Sequence, residues 1–336
     1  MSITLFTSYE GMNMKSAAGL PLAILASAMF GTSGPFASSL MDAGWTPAAA
    51  VTARITLASA LLTIPALMTL RGRWHVLRTA LPMIVAFGLI AVGGCQLFFF
   101  SAVKHLSVSI ALLMEYLGVV LVVGWMWLRH GKRPTRLTIG GSIIAILGLV
   151  LVLDVFGGAH ADVVGVMWAG AAAVGLAVFF VLSAHSDDDV PPLVIAWGGM
   201  LVGTALLWTL GGIGIVHLTA KTADVTFAQH RVSWVVPVLG LAVIAGAFAY
   251  IASIGATRLL GATVASFVGL LEVLFAALFA WVLVNERPTL IQALGGLVVL
   301  TGIVLVRAGE LRSDTGSLSG DSGLNEPLLA GVSATP

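Results

Sequence analysis

The sequence predicts an all-α integral membrane protein of ten transmembrane helices, arranged as two inverted five-helix repeats. Three observations carry this prediction. The 336-residue chain is 59% hydrophobic and only 9% charged, where soluble domains carry about 25% charged residues. Its apolar runs are about 20 residues long, the length a helix rising ~1.5 Å per residue needs to cross ~30 Å of hydrocarbon. And the stretch from Lys104 to Val152 recurs, 154 positions on, between Arg258 and Arg307.

The recurrence is carried by residues that composition alone does not supply. The 154-residue shift places Ala102 on Ala256, Lys104 on Arg258, Ala111 on Ala265 and Trp127 on Trp281. It places Arg133-Pro134-Thr135 on Arg287-Pro288-Thr289, Gly141 on Gly295 and Gly148 on Gly302. The proline suits the first position of a helix, where its missing N–H is not needed. Glycines seven residues apart share one helix face and let a neighbouring helix approach closely in lipid, where packing replaces hydrophobic drive. The first parts of the repeats correspond more loosely: Gly19 and Gly165 open them, and Pro47 and Pro192 precede the following spans.

Taken in order, the chain opens with a polar cytoplasmic segment, 1–16, in which Met12 and Met14 are further candidate starts. Ala26-Ser27-Ala28 has the form of a signal-peptidase site, but the apolar run continues to Leu40, so a span rather than a cleaved signal is expected. Ten spans follow: 17–40, 47–70, 79–103, 107–128, 137–156, 163–184, 193–215, 233–255, 262–284 and 290–308. They do not alternate as barrel strands would. The first repeat covers 17–156 and the second 163–308. Residues 309–336, rich in Ser, Gly and Asp, are expected to form a disordered cytoplasmic tail.

Orientation follows from lysine and arginine. With the N-terminus inside, the cytoplasmic segments hold Lys15, Arg71, Arg73, Arg78, Arg129, Lys132, Arg133, Arg136, Arg258, Arg307 and Arg312; the opposite side holds only Lys104, Lys221, Arg231 and Arg287. Both termini are therefore expected in the cytoplasm. Asp187-Asp188-Asp189 reads as a solvated cytoplasmic turn before Pro191-Pro192. Five spans per half is an odd number, so the second half enters the bilayer from the opposite side. Inverted repeats of this kind recur in secondary transporters, whose two bundles expose a central site to each side in turn.

Two segments, ALLMEYLGVVLVVGWMWLRHGKRPTRLTIGGSIIAILGLVLVL and LLEVLFAALFAWVLVNERPTLIQALGGLVVLTGIVLV, each join a span to a Gly-rich helix through an Arg-Pro-Thr turn. This pattern resembles the EamA branch of the drug/metabolite transporter superfamily, over roughly residues 19–307. The resemblance implies the ten-helix fold and transport of amino acids, drugs, sugars or other metabolites, often outward. The chain departs from the family where many members have proline after the acid of the ninth span: Glu272 is followed by Val273, and Glu115 by Tyr116. No proline-forced helix break is written there. The cell (inner or plasma) membrane is the expected location.

Three charges lie inside spans rather than at their ends: Arg54, Glu115 and Glu272. A charge at the centre of a membrane helix costs at least about 2.5–3.5 kcal/mol and faces a cavity or a partner. Arg54 lies ~10 Å and Glu115 ~12 Å from the outer surface, so the two are within reach of pairing; Glu272 lies ~15 Å deep, near the midplane. Under the 154 shift Glu272 falls on Gly118, nearly one turn from Glu115, which puts the two acids on comparable faces of related helices. A carboxyl in low dielectric favours its neutral form and can exchange a proton. The expected roles are a proton or a cationic substrate group on Glu115 or Glu272, with Arg54 ordering Glu115 or holding a substrate carboxylate; a purely structural Arg–Glu clamp is the competing reading. Gln96, Tyr116 and Tyr250 are further cavity candidates, for which interhelical hydrogen bonding is the alternative. Phe98-Phe99-Phe100 and the tryptophans read as packing or interface residues, and Lys104 and His105 as snorkelling side chains.

These readings bound the function. The chain is expected to be a proton-coupled secondary transporter exporting small metabolites such as amino acids. A multidrug or cationic-compound efflux carrier is the alternative, and a non-transporting receptor or scaffold the alternative of another class. Partners are the small-molecule substrate, protons and the lipid bilayer. The net charge of +1 gives no nucleic-acid footprint, and a monomer is expected. Cys95, the sole cysteine, excludes an internal disulfide or Cys-based metal cluster and reads as a small apolar residue. Gly31-Thr32-Ser33-Gly34 spells the G-x-S-G of intramembrane serine proteases, but the seven histidines fall in loops or at span ends, away from any serine they would activate. Neither HExxH nor a nucleotide fingerprint is present, so no catalytic residue, metal or cofactor is expected.

Overall fold

The computed structural model describes residues 18–106, 108–131, 133–153, 162–185, 189–284 and 289–321. Its helices are α1 (Ala18–Asp42), α2 (Pro47–Leu70), α3 (Trp74–Val103), α4 (Ile110–Arg129), α5 (Arg136–Val152), α6 (Val163–His185), α7 (Pro192–Gly212), α8 (Val235–Leu260), α9 (Ala262–Leu283) and α10 (Leu290–Arg312). Among the described residues nine of these are long and apolar enough to cross a membrane; α5, at 17 residues, is shorter. Leu128, Met68 and Leu290 stand on the outer surface of the bundle, as lipid contact requires.

Helix boundaries follow from local chemistry. Pro47 and Pro192 occupy the first turns of α2 and α7, and the Thr46 hydroxyl accepts from the Ala49 N–H. The shared Arg-Pro-Thr turn works differently from expectation. Pro134 is outside α5, and Thr135 is its N-cap, accepting from the Thr138 N–H at 3.1 Å. Ahead of α10, Thr289 and Gln292 form a reciprocal capping box: the Gln292 N–H donates to the Thr289 hydroxyl and the Thr289 N–H to the Gln292 carbonyl oxygen. The conserved physics of the turn is thus threonine capping; Pro288 lies outside the described residues. Gly261, at φ +79°, turns the chain from α8 into α9 in one residue, a conformation that favours glycine.

Several spans are not uniform α-helices. α1 breaks at Thr32, whose hydroxyl donates to the Met29 carbonyl at 2.6 Å. α4 and α9 break at Leu117 and Leu270 without any proline, through tight bonds from Leu117 N–H to Met114 and from Leu270 N–H to Phe267. α3 widens to a π-helix over Phe87–Gly94 and α8 over Val243–Phe248. The 154-residue shift carries 87–94 onto 241–248, so the two wide segments correspond.

α5 and α10 form the most extensive pairing in the bundle, and they run antiparallel. A methyl on Gly141 would come 2.8 Å from the Gly302 carbonyl oxygen, and one on Gly148 would come 2.9 Å from that of Gly295. α10 continues as helix to Asp321, over the first part of the expected tail. The Thr138 hydroxyl donates to Glu310 at 3.3 Å and ties this extension to α5. The polar segment 1–16, the end of the expected tail (322–336), Lys132, Asn285 to Arg287, and Asp187 and Asp188 lie outside the described residues.

Between α7 and α8 the chain forms a small antiparallel hairpin, β1 (Val225–Phe227) with β2 (His230–Val232). Ala228 and Gln229 both have positive φ, the mirror-image turn that matches strand twist. The hairpin covers the α1–α2 corner. Phe227 stacks on Phe36, the Trp45 indole N–H donates to the Lys221 carbonyl at 2.7 Å, and the Thr46 hydroxyl donates to the His217 carbonyl.

Four apolar clusters are buried among the described residues, and the two largest fill the interior. One joins α2, α3, α6, α7 and α8 around Ile55, Phe87, Ile195 and Ile254. The other joins α4, α5, α9 and α10 around Val119, Leu149, Phe267 and Val299. Tyr250 belongs to the first and Tyr116 to the second.

Candidate central cavity

A cavity of about 320 Å³ lies between the two clusters, lined by α1, α2, α3, α4, α6, α8 and α9. At the hairpin end its lining includes Met41 and Val108, which are exposed. At the other end it includes Ala23, Ala256, Thr257 and Ala265, which are buried. The lining is therefore exposed towards the α1–α2 and α3–α4 loops and buried at the far end. There the Ser27 hydroxyl donates to the Val268 carbonyl, and Gly19 packs directly on Leu259 and Leu260.

The six candidate residues, Arg54, Glu115, Glu272, Gln96, Tyr116 and Tyr250, all line this one cavity. The local structure explains how each is aimed. Arg54 projects from α2 with its stem against Gly246, in the wide turn of α8, where a Cβ would sit 3.5 Å from the Arg54 Cγ. Glu115 and Tyr116 stand on the last turn before the Leu117 break, and Glu272 on the first turn after the Leu270 break. Gln96 follows the wide segment of α3, and Tyr250 follows that of α8.

Pairing within the site differs from the expected Arg–Glu contact. Arg54 is 8% exposed, its Nε has no hydrogen-bond partner, and it ion-pairs with neither glutamate. It acts on both only at a distance, as a nearby positive charge. Glu115 is taken by the Cys95 thiol, which donates to it at 3.3 Å, and Glu272 has Tyr116 as a neighbour. Cys95 is thus a polar member of the site rather than the apolar filler expected. Only its place one residue before Gln96 hinted at this.

Sequence reasoning also passed over the aromatic lining. Phe30 meets Tyr250 edge-on with ring centroids 5.2 Å apart, and Tyr250 meets Phe179 at 5.7 Å. Phe99 and Phe100, expected as packing, line the cavity too. Ser33 and Gly34 of the G-x-S-G sequence line it, while Gly31 brings α1 onto α9, where a Cβ would lie 2.7 Å from that of Phe275. No histidine is among the described lining residues. His105 does not snorkel freely: its Nδ1 pairs with Asp162 at 2.7 Å, joining the α3–α4 loop to the start of α6.

Comparison with known proteins agrees with this architecture. A crystal structure superposes with a TM-score of 0.71 over 86% of this chain and 96% of its own, at 21% identity, which shows a common fold. An uncharacterized transporter of Archaeoglobus fulgidus is 23% identical over 235 residues, 66% of this chain and 75% of that protein. The uncharacterized inner membrane transporter YicL of Salmonella typhimurium is 23% identical over 230 residues, 68% and 73% of the two chains. The pseudopaline exporter CntI of Pseudomonas aeruginosa is 31% identical over 68 residues, 20% of this chain and 24% of its own. The EamA-like transporter family model matches twice, over residues 17–154 and 163–308, and the chain is a multi-pass membrane protein that belongs to this family.

Proposed function

We propose that the chain is a proton-coupled secondary transporter that exports small metabolites such as amino acids by alternating access. The observation that carries this reading is the gathering of Arg54, Glu115 and Glu272 around one cavity. Charges that lipid would reject are collected where a polar solute can reach them. On this reading the hairpin side is outside, in keeping with the lysine and arginine distribution, and the exposed end of the cavity faces outward. The termini then lie in the cytoplasm and the protein sits in the cell membrane.

The same reading takes 17–156 and 163–308 as two inverted units of five spans. Support comes from the antiparallel α5–α10 pairing, in which Gly141 meets Gly302 while its counterpart Gly295 meets Gly148. The corresponding wide segments of α3 and α8 add to it. An exporter among the relatives supports outward transport. Two acids against one arginine also favour a second reading, efflux of cationic compounds.

Purified protein in liposomes tests both. An imposed pH gradient, acid on the hairpin side, is expected to drive export of at least one of the twenty amino acids. Flux confined to cationic dyes supports the second reading. Solute binding without flux under any gradient overturns transport and leaves a receptor or scaffold.

A further inference from the structure

We infer that Arg54 is the specificity-determining residue of the cavity: it holds the substrate's carboxylate, while the glutamates hold its cationic group. The substrate is then a zwitterion, seated with its charged end deep and its apolar body towards the mouth. This deepens the transport reading and rests on it only in taking the cavity as the solute site.

The cavity holds an unpartnered charge. Arg54 is more than nine-tenths buried, its Nε donates to nothing, and neither glutamate pairs with it. Removing a guanidinium from water without a partner costs several kcal/mol, so a structural clamp would have closed onto Glu115 or Glu272. Instead, both acids have other neighbours, Cys95 and Tyr116. The guanidinium is left with its rigid fork of donors, which matches a carboxylate in two parallel bonds.

The repeat sharpens the assignment. The offset that carries Pro47 onto Pro192 carries Arg54 onto Gly199. Gly199 packs against Phe87 and Val92, outside the cavity lining. The pseudo-symmetric fold therefore has one arginine, not two, and its position is not demanded by helix packing common to both halves. Two acids and one arginine give the site a carboxylate receptor on α2 facing cation receptors on α4 and α9. Towards the mouth the lining turns apolar, with Met41, Phe99, Phe100, Val103 and Val108.

Full-length protein in detergent tests this without any transport step. Its unfolding temperature is measured with each of the twenty amino acids and with the amine that lacks each one's carboxylate. In the wild type at least one amino acid is expected to raise the unfolding temperature more than its amine does. In Arg54→Gln the apparent affinity for that amino acid is expected to fall at least about thirtyfold, with the amine little changed. Arg54→Lys keeps the charge without the fork, and an intermediate affinity is expected. Monodispersity on size exclusion confirms that each variant is folded. If no amino acid binds, if the amines bind as well as their parents, or if Arg54→Gln keeps the preference, the assignment is overturned. Binding that follows these expectations while liposomes show no flux would sink the transporter reading and leave the carboxylate site intact.

Discussion

Gly141 and Gly302 face each other across α5 and α10 so closely that a methyl group on Gly141 would lie 2.8 Å from the Gly302 carbonyl oxygen. A Cβ on Gly302 would in turn lie 2.5 Å from the Ala145 backbone nitrogen. Backbone cannot retreat as a flexible side chain can, so the helices must separate. Gly302→Ala and its counterpart Gly148→Ala are each expected to destabilise the protein by about 1–3 kcal/mol, read as a lower unfolding temperature in detergent. Gly124 and Gly140, whose added methyl would meet nothing within 4 Å, are the controls and should be neutral. Equal tolerance at all four positions would refute close packing as the role of the glycines.

Cys95 and Glu115 make a second relationship that can be tested. The thiol donates to the carboxylate from a neighbouring helix at 3.3 Å and sits within 3.4 Å of the Ala172 carbonyl. Cys95→Ser keeps a donor of similar size, whereas Cys95→Ala removes it and leaves a buried acceptor short of one bond, at a cost of about 1–3 kcal/mol. Cys95→Ser is expected to bind solute like the wild type and Cys95→Ala to bind more weakly, with Glu115 free to turn towards Arg54. Identical binding curves for the two variants would show that the thiol does not set the position of Glu115.

Much of this was legible in the sequence, for identifiable reasons. The cost of charge in lipid singled out Arg54, Glu115 and Glu272, and the structure brings all three to one cavity. Glycine spacing on one helix face anticipated a close helix approach on α5 and on α10, though not that the two pair with each other. What escaped reading was set by tertiary context. Ala228-Gln229 has none of the Asn-Gly character that marks a hairpin turn; its positive φ values are held by packing of Phe227 on Phe36. The breaks at Leu117 and Leu270 carry no proline; a glycine adjoins each, Gly118 and Gly269, too common a residue in this chain to mark a break by itself. The expected Arg54–Glu115 contact was argued from depth alone, which does not say that Cys95 occupies the acid.

The wide segments of α3 and α8 are placed to act as flexing points. Each precedes a half-helix that lines the cavity: Cys95–Val103 near the exposed end and Ala249–Leu260 near the buried one. A π-helical turn inside an α-helix often marks such a function. Deleting Ala91 should let the Phe87–Gly94 segment relax towards i→i+4 bonding. Flux in liposomes is then expected to fall at least about tenfold while the protein remains monodisperse. Wild-type flux from the deletion variant would mean the wide turn is a packing feature only.

On the proposed reading, Glu115 and Glu272 are the groups expected to carry the coupling proton. With both ionised, Arg54, Glu115 and Glu272 leave the cavity one negative charge in excess; one bound proton removes it, whereas a zwitterion, neutral overall, leaves it unchanged. A proton on a glutamate and the substrate's ammonium group would then compete for the same carboxylate, and acid on the exposed side is expected to load the proton while displacing solute. Glu272→Gln fixes the site in its compensated state, with Glu115 balancing Arg54. The expected result is solute exchange down its own gradient with no response to an imposed pH gradient, measured in the same liposomes as the wild type. Glu115→Gln should behave alike if the two acids share the role, and should keep its pH response if Glu272 alone carries the proton. A Glu272→Gln protein that still concentrates solute on a pH gradient as the wild type does would remove that residue from the coupling.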